Sequence, residues 1–137
     1  MTQTDHTAIK ILIVDDDQAI RSGLSTLLNL SGYEVEVASS TINALQILEQ
    51  STCDLVITDI IMPGESGLSL IQDIKRYDEN LKIIAISGGG KSKGLGLLNI
   101  AKKFGAVQIL QKPISTTELL DTVQQVLKNE INRDEGN

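Results

Sequence analysis

The chain has 137 residues, 41% of them hydrophobic, and a net charge of −6. This length suits a single domain with a substantial core, and the negative charge argues against non-specific binding to nucleic acid. The amino-terminal segment MTQTDHTA lacks the basic and apolar regions of a secretory signal, and no apolar run approaches the roughly 20 residues of a membrane helix. We therefore expect a cytoplasmic protein without a membrane segment. The lone cysteine, Cys53, excludes an intramolecular disulfide, and its place in an apolar segment is typical of an inert buried thiol.

Short apolar segments alternate along the chain with segments of helical periodicity. Five apolar segments predict β-strands, and they read IKILIV (9–14), VEVA (35–38), DLVIT (54–58), KIIAI (82–86) and VQIL (107–110). Apolar residues spaced three and four apart predict a helix after each strand. The helical positions are Ile20, Leu24, Leu27 and Leu28 after Asp17 as N-cap; Leu45 and Leu48 within 41–50; Leu70, Ile71 and Ile74 after Ser66; Leu97, Leu98, Ala101 and Phe104 before Gly105; and Leu119, Leu120, Val123, Val126, Leu127 and Ile131 after Ser115 or Thr116 as cap.

This strict alternation of strand and helix predicts an α/β fold. A parallel sheet with helices on both faces is the architecture that such a pattern forms. Right-handed crossovers favour the strand order 2-1-3-4-5, which is a doubly wound, flavodoxin-like (βα)5 sheet. We expect one domain over residues 9–131, with polar tails at 1–8 and 132–137.

Polar residues stand where four of the predicted strands end. Asp15 and Asp16 follow the first strand, Asp59 the third, Ser87 the fourth and Lys112 the fifth. A parallel sheet brings its carboxyl ends to one edge, so these residues are expected to meet there. Three carboxylates repel each other unless a hard cation such as Mg²⁺ lies between them. A lysine and a hydroxyl beside that cation can hold phosphoryl oxygens, and Asp59, among apolar neighbours, suits a nucleophile that forms an acyl phosphate.

Four segments in this order resemble the signature regions of a known family. ILIVDDD, DLVITDIIMPGESG, IIAISGGG and GAVQILQKP are similar to those of the receiver domain of two-component response regulators, and the resemblance covers residues 9 to about 127. It implies that Asp59 is the phosphoacceptor and that Asp16 and Asp59 bind Mg²⁺ directly. It further implies an indirect role for Asp15 through water and a backbone carbonyl ligand from Ile61.

The same resemblance assigns the remaining site residues and the partners. Ser87 would bind a phosphoryl oxygen, and Lys112 would pair with the phosphoryl group and form a cis bond to Pro113. The implied donor is a sensor histidine kinase or a phosphotransfer protein, and the domain would also hydrolyse its own acyl phosphate rather than act as a classical enzyme. Because no output segment follows the last helix in this sequence, we expect a stand-alone receiver that signals by partner binding or phosphorelay.

One position departs from the family pattern. Receivers usually carry Tyr or Phe three residues before the site lysine, and here that residue is Ile109. A rotating aromatic ring therefore cannot report phosphorylation. The glycine run Gly88 to Gly90, together with Gly94 and Gly96, is expected to supply a mobile loop instead.

The charges are unevenly distributed along the chain. Residues 80–117 contain six lysines and no acid, whereas the other residues contain all 18 acids and six bases, which gives −12. A solvated lysine-rich face is one reading. The other is that residues 88–112 form a docking surface for an acidic target protein.

Two other functions remain open at this point. Ala85 to Ser92 reads AISGGGKS, a loose match to the phosphate-binding loop of nucleotide-binding ATPases in which Lys91 would be the phosphate ligand. Fewer than fifty residues follow it, and no later strand ends in an acid, so the context fails. The third possibility is an adaptor with the receiver fold that acts without phosphorylation, which Ile109 favours and the intact acids oppose.

Overall fold

The structure is a computed structural model that describes residues 8–88 and 91–136. Most of the predicted amino-terminal tail, residues 1–7, and two glycines of the predicted mobile loop, Gly89 and Gly90, lie outside the described residues. Five parallel strands form one sheet in the order β2-β1-β3-β4-β5, which confirms the predicted fold and topology. The strands are β1 (Lys10–Val14), β2 (Glu34–Ala38), β3 (Leu55–Asp59), β4 (Lys82–Ser87) and β5 (Gln108–Gln111).

One helix follows each strand, and polar side chains cap four of the helix starts, one of them Ser40, which accepts from the N–H of Asn43. Asp17 accepts a hydrogen bond from the backbone N–H of Ala19, and Ser66 caps the third helix in the same way. Ser115, rather than Thr116, caps the last helix, because its Oγ accepts from the N–H of Glu118 at 3.0 Å. The helices are α1 (Gln18–Leu30), α2 (Thr41–Gln50), α3 (Gly67–Tyr77), α4 (Lys91–Phe104) and α5 (Thr116–Gly136).

Two helices are longer than the apolar spacing predicted. The fourth begins at Lys91, so Gly94 and Gly96 lie inside a helix and not in the expected loop. The fifth continues through residues 132–136, which were predicted as a polar tail. Apolar periodicity marks only the part of a helix that packs against a core, so polar turns at its ends carry no such signal.

The core lies on both faces of the sheet. Leu12 and Val14 of β1 pack with α2, α3 and α4 on one face, whereas Ile11 and Ile13 pack with α1 and α5 on the other. Because both faces are covered, the central strands β1, β3 and β4 read as nearly continuous apolar runs. The buried polar side chains of the described residues all lie at or beside the carboxyl edge of the sheet, and they are Asp15, Thr58, Asp59 and Ser87.

A small hairpin connects β3 to α3. Its two-residue strands, Ile61–Met62 and Glu65–Ser66, pair antiparallel around Gly64, which has a φ of 71°. Met62 is buried and anchors the hairpin to the core, while Ile61 remains 42% exposed. Within the part of the chain that the structure covers, no helix is long and apolar enough to cross a membrane.

Candidate functional site

The carboxyl edge of the sheet brings together the predicted polar residues. Asp15 directly follows β1, Asp59 and Ser87 are the last residues of β3 and β4, and Lys112 directly follows β5. The side chains of Asp15, Asp59 and Ser87 are buried, whereas Asp16 is exposed. At this edge, the buried acids Asp15 and Asp59 therefore lie beside a solvent-exposed acid, Asp16.

Lys112 bridges two strand ends. Its Nζ donates to Oδ2 of Asp15 at 3.0 Å and to Oδ2 of Asp59 at 3.2 Å. Burial lowers the pKa of Lys112, but its hydrogen bonds and charge attraction to the two carboxylates outweigh that effect and raise the pKa overall. The ammonium therefore stays charged and offsets part of the repulsion between the acids.

The Asp59 carboxylate is poorly solvated. Burial raises its pKa, although the N–H of Ile61, which donates to Oδ1 at 3.0 Å, and the charge of Lys112 act in the opposite direction. The nearby charge of Asp15 raises the pKa further. A carboxylate so held lacks the full hydration that would make it a weak nucleophile in water.

The three acids form a set of oxygen ligands that fits a hard divalent cation. One carboxylate oxygen from each of Asp15, Asp16 and Asp59 lies within 4.8 Å of the others. Among the described residues, Lys112 is the cation that pairs with these carboxylates, so the cluster keeps excess negative charge, and carboxylate oxygens are the ligands that Mg²⁺ prefers. Ile61 lies beside Asp59 through its N–H contact, and the role of its carbonyl as a ligand stays a prediction.

The end of β4 supports the lysine. The N–H of Lys112 donates to the carbonyl of Ser87 at 2.9 Å. Gly88 leaves room for the lysine stem, because a Cβ there would lie 2.9 Å from Cδ of Lys112. The bond between Lys112 and Pro113 is cis, as the resemblance implied.

Two residues that the sequence did not single out hold the backbone of Asp59. The hydroxyl of Thr58 donates to the Asp59 carbonyl at 3.0 Å and is completely buried. A Cβ on Gly67 would lie 2.3 Å from that same carbonyl oxygen, so only glycine fits there. The available signal was a glycine at the start of a helix, where a stronger helix former is expected.

Ile109, which stands where the family usually has an aromatic residue, packs against the hydrophobic core. Ile109 pairs with Ala85 across β4 and β5 and is partly buried against the cluster that contains Ala101. Ala85 itself is fully buried in the middle of β4. A phosphate-binding loop that began at Ala85 would need this strand residue to leave the sheet, which removes the structural context of the ATPase alternative.

The sequence matches the family model described as the response regulator receiver domain over residues 11–124. Among curated proteins, it is 34% identical over 118 residues to sporulation initiation phosphotransferase F of Bacillus subtilis, covering 86% of this chain and 93% of that protein. It is 37% identical over 118 residues to the response regulator protein TodT of Pseudomonas putida, covering 86% of this chain and 51% of that protein. With the transcriptional regulator NtrC of Azospirillum brasilense it shares 34% identity, over 90% of this chain and 25% of that protein.

Solved structures show the same architecture. A receiver domain protein of Clostridium thermocellum superposes with a TM-score of 0.82 at 31% identity, covering 89% of this chain and 96% of that one. NtrX of Brucella abortus superposes with a TM-score of 0.87 at 28% identity, covering 95% of this chain and 30% of that one. The chain therefore spans nearly all of some relatives and between a quarter and a half of others.

Proposed function

Because the chain belongs to the response regulator receiver family, we propose that Asp59 accepts a phosphoryl group from a phosphohistidine of a sensor histidine kinase or phosphotransfer protein. The observation that carries this proposal is the bridge from Lys112 to Asp15 and Asp59, with Asp16 open beside it. The nucleophile Asp59, the ammonium of Lys112 and the metal-binding acid Asp16 therefore lie close together. The phosphotransferase named among the relatives, 93% of which the chain covers, supports phosphotransfer.

The transfer is a substitution at phosphorus. An oxygen of the Asp59 carboxylate forms a bond to phosphorus, the phosphorus–nitrogen bond breaks, and the imidazole leaves with the electron pair. Lys112, already 3.2 Å from this carboxylate, moves onto a phosphoryl oxygen, and the Ser87 hydroxyl donates to another. Mg²⁺, held by Asp15, Asp16, Asp59 and the Ile61 carbonyl, would supply positive charge to the phosphoryl oxygens. Water later attacks the phosphorus, the bond between phosphorus and the Asp59 oxygen breaks, and inorganic phosphate leaves the restored carboxylate.

We propose that an apolar groove beside the site receives the phosphodonor protein. It has a volume of about 480 Å³ and lies between α1 and the segment after β5. Its lining residues are Ile20, Leu24, Gly88, Lys112, Pro113 and Ile114, so it includes the site lysine. An apolar helix face can pack into such a groove and bring its histidine to Asp59.

The output is proposed to pass through residues 88–112. Ile109 offers no rotating ring, so the signal must take another route. When Ser87 moves toward the phosphoryl group, it pulls on Gly88 and the start of α4. The exposed side chains of Lys102 and Lys103 lie in the last turn of that helix. An acidic target protein would detect their displacement, and charge reversal of both lysines should weaken target binding while leaving Asp59 phosphorylation intact.

Phosphorylation by a small donor tests the proposal directly. With Mg²⁺ and phosphoramidate, the wild-type protein should gain one hydroxylamine-labile phosphoryl group, and Asp59→Asn should gain none. Asp73→Asn, the same substitution at an exposed acid of α3 that pairs with Arg76, is the matched control and should still be labelled. Equal labelling of the Asp59→Asn protein would refute the assignment, and unlabelled wild type that still binds a partner would favour the phosphorylation-independent adaptor.

A further inference from the structure

Arg21 makes a contact with the acid cluster that neither the sequence pattern nor the resemblance assigned. It lies in the second turn of α1 and is half-buried. Its Nη1 donates to the backbone carbonyl oxygen of Asp15 at 2.8 Å. A short hydrogen bond from a charged guanidinium is among the stronger contacts that a carbonyl can accept.

The contact completes a set that fixes every polar group of Asp15. Its N–H donates to the carbonyl of Ala38 at 3.1 Å, and its Oδ1 accepts from the N–H of Asp17 at 2.9 Å. Its Oδ2 accepts from Lys112. Arg21 holds the remaining group, the carbonyl, and thereby the plane of the peptide that joins Asp15 to Asp16.

Asp16 depends on that peptide for its position. Its carboxylate is exposed and has no hydrogen-bond or ion-pair partner among the described residues. The backbone therefore sets the position of its Cβ, and with it the reach of its oxygens toward Asp15 and Asp59. A shift of only about a few tenths of an ångström in the Asp16 carboxylate weakens the binding of a small ion with strict octahedral geometry.

We propose that Arg21 is a positioning residue for the divalent-cation site: it fixes the Asp15–Asp16 peptide so that the Asp16 carboxylate points into the cluster. This inference rests on the metal site of the proposed function. Arg21 also brings a positive charge near the acids, and that charge alone would weaken cation binding. The two effects have opposite signs, so the direction of the change on removing Arg21 separates them.

Mg²⁺ affinity, measured by isothermal titration calorimetry without any phosphodonor, tests the role. Arg21→Met removes the donor and the charge but keeps the stem, and we expect its Kd for Mg²⁺ to rise about ten-fold, the size typical for outer-shell partners of metal ligands. Arg21→Lys keeps the charge without the planar fork, so a Kd above that of wild type in this variant reports the loss of positioning alone. Lys75→Met is the matched control, because Lys75 also donates to backbone carbonyls, those of Glu79 and Leu81, at the opposite end of the sheet. Its unfolding free energy should fall while its Kd stays unchanged.

The outcomes are distinct. An Arg21→Met protein that binds Mg²⁺ as tightly as wild type, or more tightly, would overturn the positioning role and leave the proposed function standing. A wild-type protein that binds no Mg²⁺ at millimolar concentration would overturn both. If Arg21→Met fails to fold in urea titrations, Arg21→Gln is judged by the same criterion: a higher Kd supports the role, and an equal or lower one refutes it.

Discussion

Replacing Lys112 by Met should expose the electrostatic cost of the acid cluster. The substitution keeps an apolar stem over Gly88 and removes the ammonium that bridges Asp15 and Asp59, whose side chains are 2% and 5% exposed. Leaving buried charges without their partner costs roughly 3–5 kcal/mol. Because the lysine is itself 21% exposed, water screens part of the interaction, and we expect a loss of about 2–4 kcal/mol in unfolding free energy near neutral pH without Mg²⁺.

The loss should depend on pH in a defined direction. Burial already raises the pKa of Asp59 above its ordinary value of 3.8, and removal of Lys112 takes away one of the effects that lowers it. A carboxyl group with a raised folded-state pKa costs stability above that pKa, and the cost disappears as the pH falls toward the unfolded value. The difference between Lys112→Met and wild type should therefore be largest near pH 7 and shrink on acidification.

Urea titrations at several pH values, with EDTA or with Mg²⁺, provide the assay. Mg²⁺ should stabilise the variant more than wild type at a fixed concentration, because the cation no longer competes with the lysine. Lys103→Met, which removes an exposed lysine of α4, is the control and should change stability by less than about 0.5 kcal/mol. A Lys112→Met protein as stable as wild type at pH 7, or a loss that does not vary with pH, would refute the electrostatic reasoning.

Three further expectations concern single side chains. Asp59→Asn should raise the unfolding free energy at pH 7 in EDTA, because burial disfavours the charged form, and its advantage over wild type in urea titrations should diminish as the pH falls toward 3.8. The unfolding free energy of Gly67→Ala should fall by about 1–3 kcal/mol, because the new Cβ overpacks against the Asp59 carbonyl. Gly23→Ala is the control: nothing lies within 4 Å of a Cβ added there, so its unfolding free energy should rise by roughly 0.5–1 kcal/mol from helix propensity. A Gly67→Ala protein of wild-type stability would contradict the close contact. The Cys53 thiol, whose pKa burial raises, should react with a thiol reagent far more slowly in the native protein than in urea, and equal rates would contradict its burial.

The strand order and the site acids were predictable because their signals are local. Most of the strands are short apolar runs, and a polar residue marks the end of four of them, as Asp59 does for β3. The predicted meeting of these residues follows from parallel pairing alone. The family resemblance added the individual roles, which stay predictions. It also added the cis bond between Lys112 and Pro113, which the structure confirms.

Other features could not be predicted because they depend on distances between elements. The contact of Arg21 with the Asp15 carbonyl needs the angle of α1 against β1, which no residue pattern specifies. The fit of Gly67 against Asp59 likewise depends on how closely α3 approaches the end of β3. The polar ends of α4 and α5 were missed because they carry no apolar periodicity.

The central claim is that Asp59 carries the phosphoryl group, and the most direct test is to locate the modified residue. The protein is phosphorylated with phosphoramidate and Mg²⁺, reduced with borohydride, which converts an aspartyl phosphate to homoserine, and digested for mass spectrometry. We predict homoserine at position 59, dependent on Mg²⁺, with unmodified aspartate at positions 15 and 16. Homoserine at either of those positions, or a stable phosphate on Ser87, would contradict the account.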